Sequence, residues 1–307
     1  MKKFRIAATG VSMNYMPQYL AYELGFFKEE GLEVISYTPT PWVKGLDDIN
    51  QTDADALLGG IWVPIMYHEH IKNYESVAKI ASKCPLFIVS REQVTRFSWK
   101  AMENKRVLVS GGDGASHYVA ALGSAQKGGA NVSNIRFIHD FSTSMLCELF
   151  EGGFGDFIVL QPDVAHAMIA KNKGHFFCNL TENDTKIPWS VYYTLPETIR
   201  SDTDKFTRFV SGLQKGTDYL LDHGGNACQD IIQKYWPHLS VEEGIKTIDQ
   251  FIAQGMWTRS VRINEDELMD WQKDLQLGDL MDQPIPYRTL VNNGPYDAML
   301  NKREDGQ

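Results

Sequence analysis

Several features are scarce or missing in this 307-residue chain. No stretch approaches the ~20 consecutive apolar residues a bilayer-spanning helix needs, which excludes a transmembrane helix. A basic excess is missing too: 30 Lys and Arg face 39 Asp and Glu, for a net charge of −9. That balance argues against a nucleic-acid binder, which needs a basic stripe to displace counterions from phosphates. A small ligand stays open, because a pocket's local field can oppose the global charge. Cysteine is sparse, and Cys84, Cys147, Cys178 and Cys228 form no CxxC or CxxxC pair. That spacing speaks against a cysteine-held metal or a dithiol redox site, and the apolar surroundings SKCPLF, SMLCELF and FFCNL predict buried free thiols. No GK[ST] follows a glycine cluster and no GxSxG elbow occurs, so neither a Walker A loop nor a hydrolase nucleophile turn is present. Solenoid-period repeats and low-complexity segments are also lacking.

What is there is an ordinary globular mixture, 43% hydrophobic and 22% charged, long enough for two domains. The chain is organised around Asn14 to Ile35, NYMPQYLAYELGFFKEEGLEVI. Pro17 suits a first helical position, and Met16, Leu20, Leu24 and Phe27 fall at helical spacing, predicting one buried stripe. Gly25 and Gly31 are natural stops, because glycine accepts the positive φ that ends a helix cheaply. Leu32 to Tyr37 reads as a strand, and so does Phe4 to Ala8, which gives β-loop-α-β, the unit of a parallel α/β sheet.

Further strands are expected at Asp55–Leu58, Ser76–Ala81, Leu86–Ser90, Arg106–Ser110, Ile135–Ile138, Asp156–Leu160, Gly174–Asn179 and Trp189–Leu195. In doubly wound sheets ligands sit at the carboxyl ends of strands, so the loops there supply the candidates. After the second strand, Trp42 follows a loop stiffened by Pro39 and Pro41; it can stack on a flat ligand or cap the core. Gly59, Gly60 and Trp62 open the next helix, where paired glycines allow close backbone approach, or simply a tight strand-helix turn. Gly111-Gly112-Asp113-Gly114-Ala115-Ser116-His117 reads as a nest of backbone donors for an anionic head group, or as a capped turn. Gln161-Pro162-Asp163 repeats the strand-breaker-helix logic, with Asp163 as a cleft residue or an N-cap. His117 and His139 are polar pocket candidates or hydrogen-bonded structural histidines. His68-Glu69-His70 is poorly spaced for zinc, since residues two apart on a helix point apart. The last third is helical: Asp202 caps a long amphipathic helix, and Trp236, Trp257 and Trp271 fit the core. The tail QPIPYRTLVNNGPYDAML reads as an arm packed along a domain, with Lys302 to Gln307 frayed.

The run YLAYELGFFKEEGLEV resembles the helix and turn that open the nitrate/taurine/sulfonate and thiamin-pyrimidine-precursor (NMT1/THI5-like) group of substrate-binding proteins. The resemblance implies the two-lobed type 2 periplasmic-binding-protein fold, each lobe a mixed sheet flanked by helices. Lobe 1 would hold residues 1–89 and 190–307, lobe 2 residues 90–189, with a hinge and a ligand cleft between them. It implies a binding protein that captures a small, flat or anionic organic molecule for an ABC-type importer, with a permease and an ATPase as partners. No metal or other cofactor is implied. Asn14, Tyr15, Trp42, Gly59, Gly60, Trp62, Gly114, Ser116, His117, Gln161, Asp163 and Trp189 would line the pocket. The alternative is a cytosolic enzyme on the same fold. The chain lacks the cysteine run of the thiamin-precursor synthases, whose lysine loop matches Gly59 and Gly60. It also resembles aryl-sulfinate desulfinases in LLGGIWVPIM and LVNNGPY, but Asn14 stands where their nucleophilic cysteine would be, and Leu57 stands for their arginine. Met1 to Gly10 carry no apolar run of signal-peptide length. The compartment is therefore expected to be extracytoplasmic if a leader was removed, and cytoplasmic if the chain is complete as given.

Overall fold

The computed structural model describes residues 1–111, 116–182 and 186–305. Its strands are β1 (Lys2–Ala8), β2 (Leu32–Tyr37), β3 (Ala56–Gly60), β4 (Glu75–Ala81), β5 (Phe87–Ser90), β6 (Arg106–Val109), β7 (Arg136–Ile138), β8 (Phe157–Leu160), β9 (His175–Asn179) and β10 (Ser190–Thr194). The helices of the first half are α1 (Met16–Glu23), α2 (Phe26–Glu29), α3 (Lys44–Asn50), α4 (Trp62–Tyr67), α5 (Ser116–Lys127), α6 (Thr143–Glu151) and α7 (Pro162–Ala170). They continue with α8 (Pro196–Ser201), α9 (Thr203–His223), α10 (Gln229–Tyr235), α11 (Val241–Ala253), α12 (Glu265–Leu277), α13 (Tyr287–Leu290) and α14 (Gly294–Asp305).

The chain divides into two compact units. The first holds Met1–Lys83, Lys186–Met269 and Pro284–Gln307; the second holds Cys84–Thr185 and Asp270–Gln283. The first unit's sheet has the order β2-β1-β3-β10-β4. β1 runs parallel to β2 and β3, whereas β10 is antiparallel to both β3 and β4. The second unit repeats the pattern as β7-β6-β8-β5-β9, with β6 parallel to β7 and β8, and β5 antiparallel to β8 and β9. Each unit is thus a mixed five-stranded sheet flanked by helices, the α/β class expected from the β-loop-α-β opening.

The opening folds as its residues dictate. Pro17 occupies the first turn of α1, and Met16, Leu20 and Phe27 are buried. Gly25 and Gly31 take φ of +82° and +73°, conformations that cost other residues steric strain. Leu24 corrects the expected stripe: it caps the C-terminus of α1, where Gly25 turns the chain, and is 44% exposed. The buried face packs on α9, whose Phe209 stacks on both Phe4 and Phe27. Each such fully buried apolar side chain contributes about 1.5–3 kcal/mol. The two helices close tightly because a Cβ on Gly216 would lie 2.3 Å from the Pro17 carbonyl oxygen. Asp202 caps α9 as expected, its carboxylate accepting from the Lys205 backbone N–H at 3.1 Å.

Three local expectations change. Gly59 and Gly60 are the last residues of β3, laddered to Val191 and Ser190, rather than a turn with outward-facing amides. Gln161, not Asp163, is the N-cap of α7, and Asp163 sits in its first turn because Pro162 fixes the helix start one residue earlier. The tail packs against α9 and β4 of the first unit, but as helix and without the frayed end expected from Lys302 onward within the described residues. Asn292 accepts from the Gly294 N–H, α14 starts there and runs through Lys302 to Asp305, and Lys302 reaches Asp204 on α9. Cys84, Cys178 and Cys228 are buried free thiols and Cys147 is half-buried. Burial pushes the Cys84 thiol up and takes Cys228 to about 12, so both stay protonated.

Candidate functional site

In each unit the strand order reverses direction at one place: between β1 and β3 in the first, between β6 and β8 in the second. Loops leaving such a switch point diverge and leave a crevice outside the carboxyl ends of the strands. In the first unit the β1 loop (Thr9 to Tyr15) and the end of β3 flank that point, and Ser190 at the start of β10 lies beside Gly60.

The β1 loop brings neutral hydrogen-bonding groups to this end of the sheet. Asn14, 1% exposed, donates from its amide nitrogen to the Ser190 hydroxyl at 3.1 Å, and its amide oxygen accepts from the Ser12 hydroxyl. The Trp257 indole N–H donates to the Asn14 carbonyl at 3.0 Å, fixing the loop from the far side of the sequence. Tyr15 shares a hydrogen bond with Thr9 at 3.3 Å. Burial raises its pKa, and bonds with Thr9 and Ser190 offset this only partly, so the phenol stays protonated. Lys83, also buried, follows β4 by two residues at the same sheet edge.

The glycine pair admits close packing at this edge. A Cβ on Gly59 would lie 2.7 Å from Cγ2 of Thr9, and one on Gly60 would lie 2.4 Å from the Trp62 ring. Trp62 and Trp42 meet edge to face, with centroids 6.3 Å apart and planes at 76°, and both rings are partly exposed. Trp189 is buried beside Ser190. The structure therefore connects Asn14, Tyr15, Gly59, Gly60, Trp62, Trp42 and Trp189 through one chain of contacts or adjacent positions at the end of one sheet.

In the second unit, Ser116 is buried and His117 half-buried at the start of α5, after β6, while Gln161 and Asp163 begin α7 after β8. β6 and β8 are neighbours, so these four residues belong to one sheet end. Gly114 and Asp113 lie outside the described residues. His139 follows β7, its ring 4.9 Å from that of Tyr118, and its carbonyl oxygen would be 1.8 Å from a Cβ on Gly111. That close approach explains why glycine stands at residue 111. Among the described residues no group of three His, Cys, Asp or Glu could hold a metal ion. His68 bonds to Asn73 and lies away from the strand ends, in the turn after α4.

Sequence reasoning missed Ser12, Ser190 and Trp257. Ser190 directly follows the Trp189 that was singled out, and its register with Gly60 carried no local signal. Trp257 lies in the core, as its sequence setting predicts, and its N–H holds the site loop.

Comparison with known proteins bears on this geometry. Residues 12–227 match the family model described as NMT1/THI5 like. A curated relative, the putative binding protein YtlA of Bacillus subtilis (strain 168), is 22% identical over 297 residues, covering 95% of this chain and 88% of that protein. The alkanesulfonate-binding protein SsuA from Xanthomonas axonopodis pv. citri, solved with MOPS bound, superposes with a TM-score of 0.70 at 12% identity, covering 95% of this chain and 98% of its own. The periplasmic nitrate-binding protein NrtA from Synechocystis PCC 6803 gives 0.72 at 8% identity, covering 98% of this chain and 89% of its own. At such identities these structures establish the fold, that of the periplasmic binding proteins. With more than half its length matched by the family model, the chain belongs to the NMT1/THI5-like family.

Proposed function

We propose that the protein is a substrate-binding component that captures a small, flat or anionic organic molecule at the strand ends described above and delivers it to an ABC-type permease and its ATPase. The observation that carries this reading is the composition of the β1–β3 switch point. Two partly exposed tryptophans stand edge to face beside a glycine pair, and neutral donors and acceptors converge from Ser12, Asn14, Tyr15 and Ser190. Aromatic faces cover apolar surface while a few fixed polar groups set orientation, the usual division of labour in a ligand site. In the second unit, taken by itself, Ser116, His117, Gln161 and Asp163 stand at the ends of β6 and β8 and are proposed as polar ligand contacts there. SsuA and NrtA, named for anions they bind, support an anionic ligand, and the name of YtlA supports a binding role. The Asn14 carboxamide, engaged by Ser12 and Ser190, is a holding group and not a nucleophile.

The test is a thermal-shift screen of the full chain with aromatic carboxylates, alkyl and aryl sulfonates and pyrimidines, since a ligand of the folded state raises Tm by mass action. Calorimetry on any hit should show Trp62→Ala weakening it by about 2–4 kcal/mol with the unliganded Tm little changed. No response from any class would overturn the proposal, and unchanged affinity in Trp62→Ala would remove that residue from the site.

A further inference from the structure

Beside the strand-end site, the first unit carries a groove of about 370 Å³ between α1, the edge strand β2 and α10. One wall is the face of α1 presenting Gln18, Tyr19 and Tyr22, at i, i+1 and i+4 and so on one side of the helix, with Tyr15 as its N-cap just before them. Tyr235 closes the far side, stacked on Tyr19 with centroids 4.6 Å apart and planes at 20°. The groove meets neither Trp42 nor Trp62.

Its polar groups are fixed from outside. Gln18, 3% exposed, accepts from the Tyr192 hydroxyl at 2.8 Å and donates toward Ser36. The Tyr19 hydroxyl accepts from the Ser12 N–H at 3.4 Å. Burial raises the pKa of Tyr15 and Tyr19, and Tyr37, on the β2 side, is pushed up to about 12 by burial and by Asp48. All three are therefore neutral phenols around pH 7.

Among the described residues lining the groove, Lys234 is the one ionised group, although the chain as a whole carries −9. Its ammonium lies 5.4 Å from the Tyr235 ring centre and pairs with Glu23, with side chains 55% and 34% exposed. An ion pair this exposed holds weakly, so the ammonium can turn to a ligand at small cost. A cage of tyrosines alone would suit a quaternary ammonium. A lysine at the rim and no acidic lining group reverse that preference.

We propose that this groove is a second ligand site, adjoining the strand-end site but distinct from its tryptophans, for a planar aromatic carboxylate whose ring lies against the tyrosines and whose carboxylate pairs with Lys234. Its volume lies within the range of small-molecule sites and fits a compound of one or two rings. Gly10, Val11 and Tyr15 of the β1 loop line this groove, so the loop is a wall shared with the strand ends, and Tyr15, which bonds Thr9 there, is unsuitable as a test position.

The experiment measures benzoate, its neutral counterpart benzamide and benzyltrimethylammonium against the full chain by ligand-observed NMR titration. The variants are Lys234→Gln and Tyr22→Ala, both at exposed positions, and Trp62→Ala as the strand-end control. The expected result is benzoate binding about fivefold or more tighter than benzamide in the wild type, with the difference lost in Lys234→Gln. Tyr22→Ala should weaken both about threefold to tenfold, and Trp62→Ala should change neither. Equal binding of benzoate and benzamide, tighter binding of the cation, or no binding of benzoate would overturn the proposal. So would benzoate binding lost in Trp62→Ala and kept in the other two variants, an outcome that would leave the strand-end reading standing.

Discussion

Lys79 on β4 and Glu267 on α12 form an ion pair from which water is excluded, the two side chains being 2% and 5% exposed. Asn264 donates to the other carboxylate oxygen at 3.1 Å. Burial, its largest influence, lowers the Lys79 pKa, and Glu267 works against that. Removing one partner strands a charge in the core, so Glu267→Ala should cost about 3–5 kcal/mol. Replacing both, as Lys79→Met with Glu267→Leu, should recover most of that loss or exceed wild-type stability. Urea unfolding of the wild type, Glu267→Ala and the double variant checks this; a double variant no more stable than Glu267→Ala would contradict it.

Asp204 accepts from Lys302 at 2.8 Å and from Arg208 at 2.7 Å, joining α14 to α9. The two bonds, Lys302 first, hold its carboxyl at about 2. A depressed carboxylate stabilises the folded state above its ordinary value and loses that contribution as pH falls through its folded value. The stability difference between wild type and Asp204→Asn should therefore be flat from neutral pH to about 5 and close between about 4 and about 2. Because the pair is exposed, its size should not exceed about 1 kcal/mol. A difference that persists at pH 2 would refute this.

Gly216→Ala should lower stability by about 1–3 kcal/mol, because the added methyl meets a backbone oxygen of α1 that no rotamer change can move. Gly10→Ala, where a Cβ meets nothing within 4 Å, should be close to neutral. Thermal unfolding of the two variants side by side gives the comparison.

Trp257→Phe keeps the buried ring but leaves the Asn14 carbonyl without its donor. Stability should fall by about 1–3 kcal/mol, and any strand-end ligand should bind more weakly because the β1 loop loses its anchor. Denaturant unfolding and calorimetry read the two effects separately, and unchanged values in both would dismiss Trp257 as a positioning residue.

What could be read from the sequence was local. Pro17, Gly25 and Gly31 each act on the residues beside them, so α1, the turn and β2 followed directly, as did the Asp202 cap. Long-range pairings were not legible. The Asn14–Ser190 bond spans 176 residues and the Trp257–Asn14 bond 243, and no periodicity encodes which residues such a bond will join. The tyrosine groove was half visible: Tyr19 and Tyr22 share a helix face with Tyr15 just before it, but nothing nearby names Tyr235 as the opposing wall. The tail misled because Asn, Gly and Pro are turn residues, yet Gly294-Pro295 is also a good helix start, with proline where its missing N–H costs nothing.

The position of β10 in the first sheet bears on how the chain is made. β3 and β4 touch only through it, so the centre of that sheet stays open on the ribosome until residues 190–194 have left the exit tunnel. Lys79 waits longer still, for Glu267. A nascent chain stalled near residue 185 would thus show β3 as a bare edge and β4 as a strand without a sheet partner, both open to chaperones and to neighbouring polysomes.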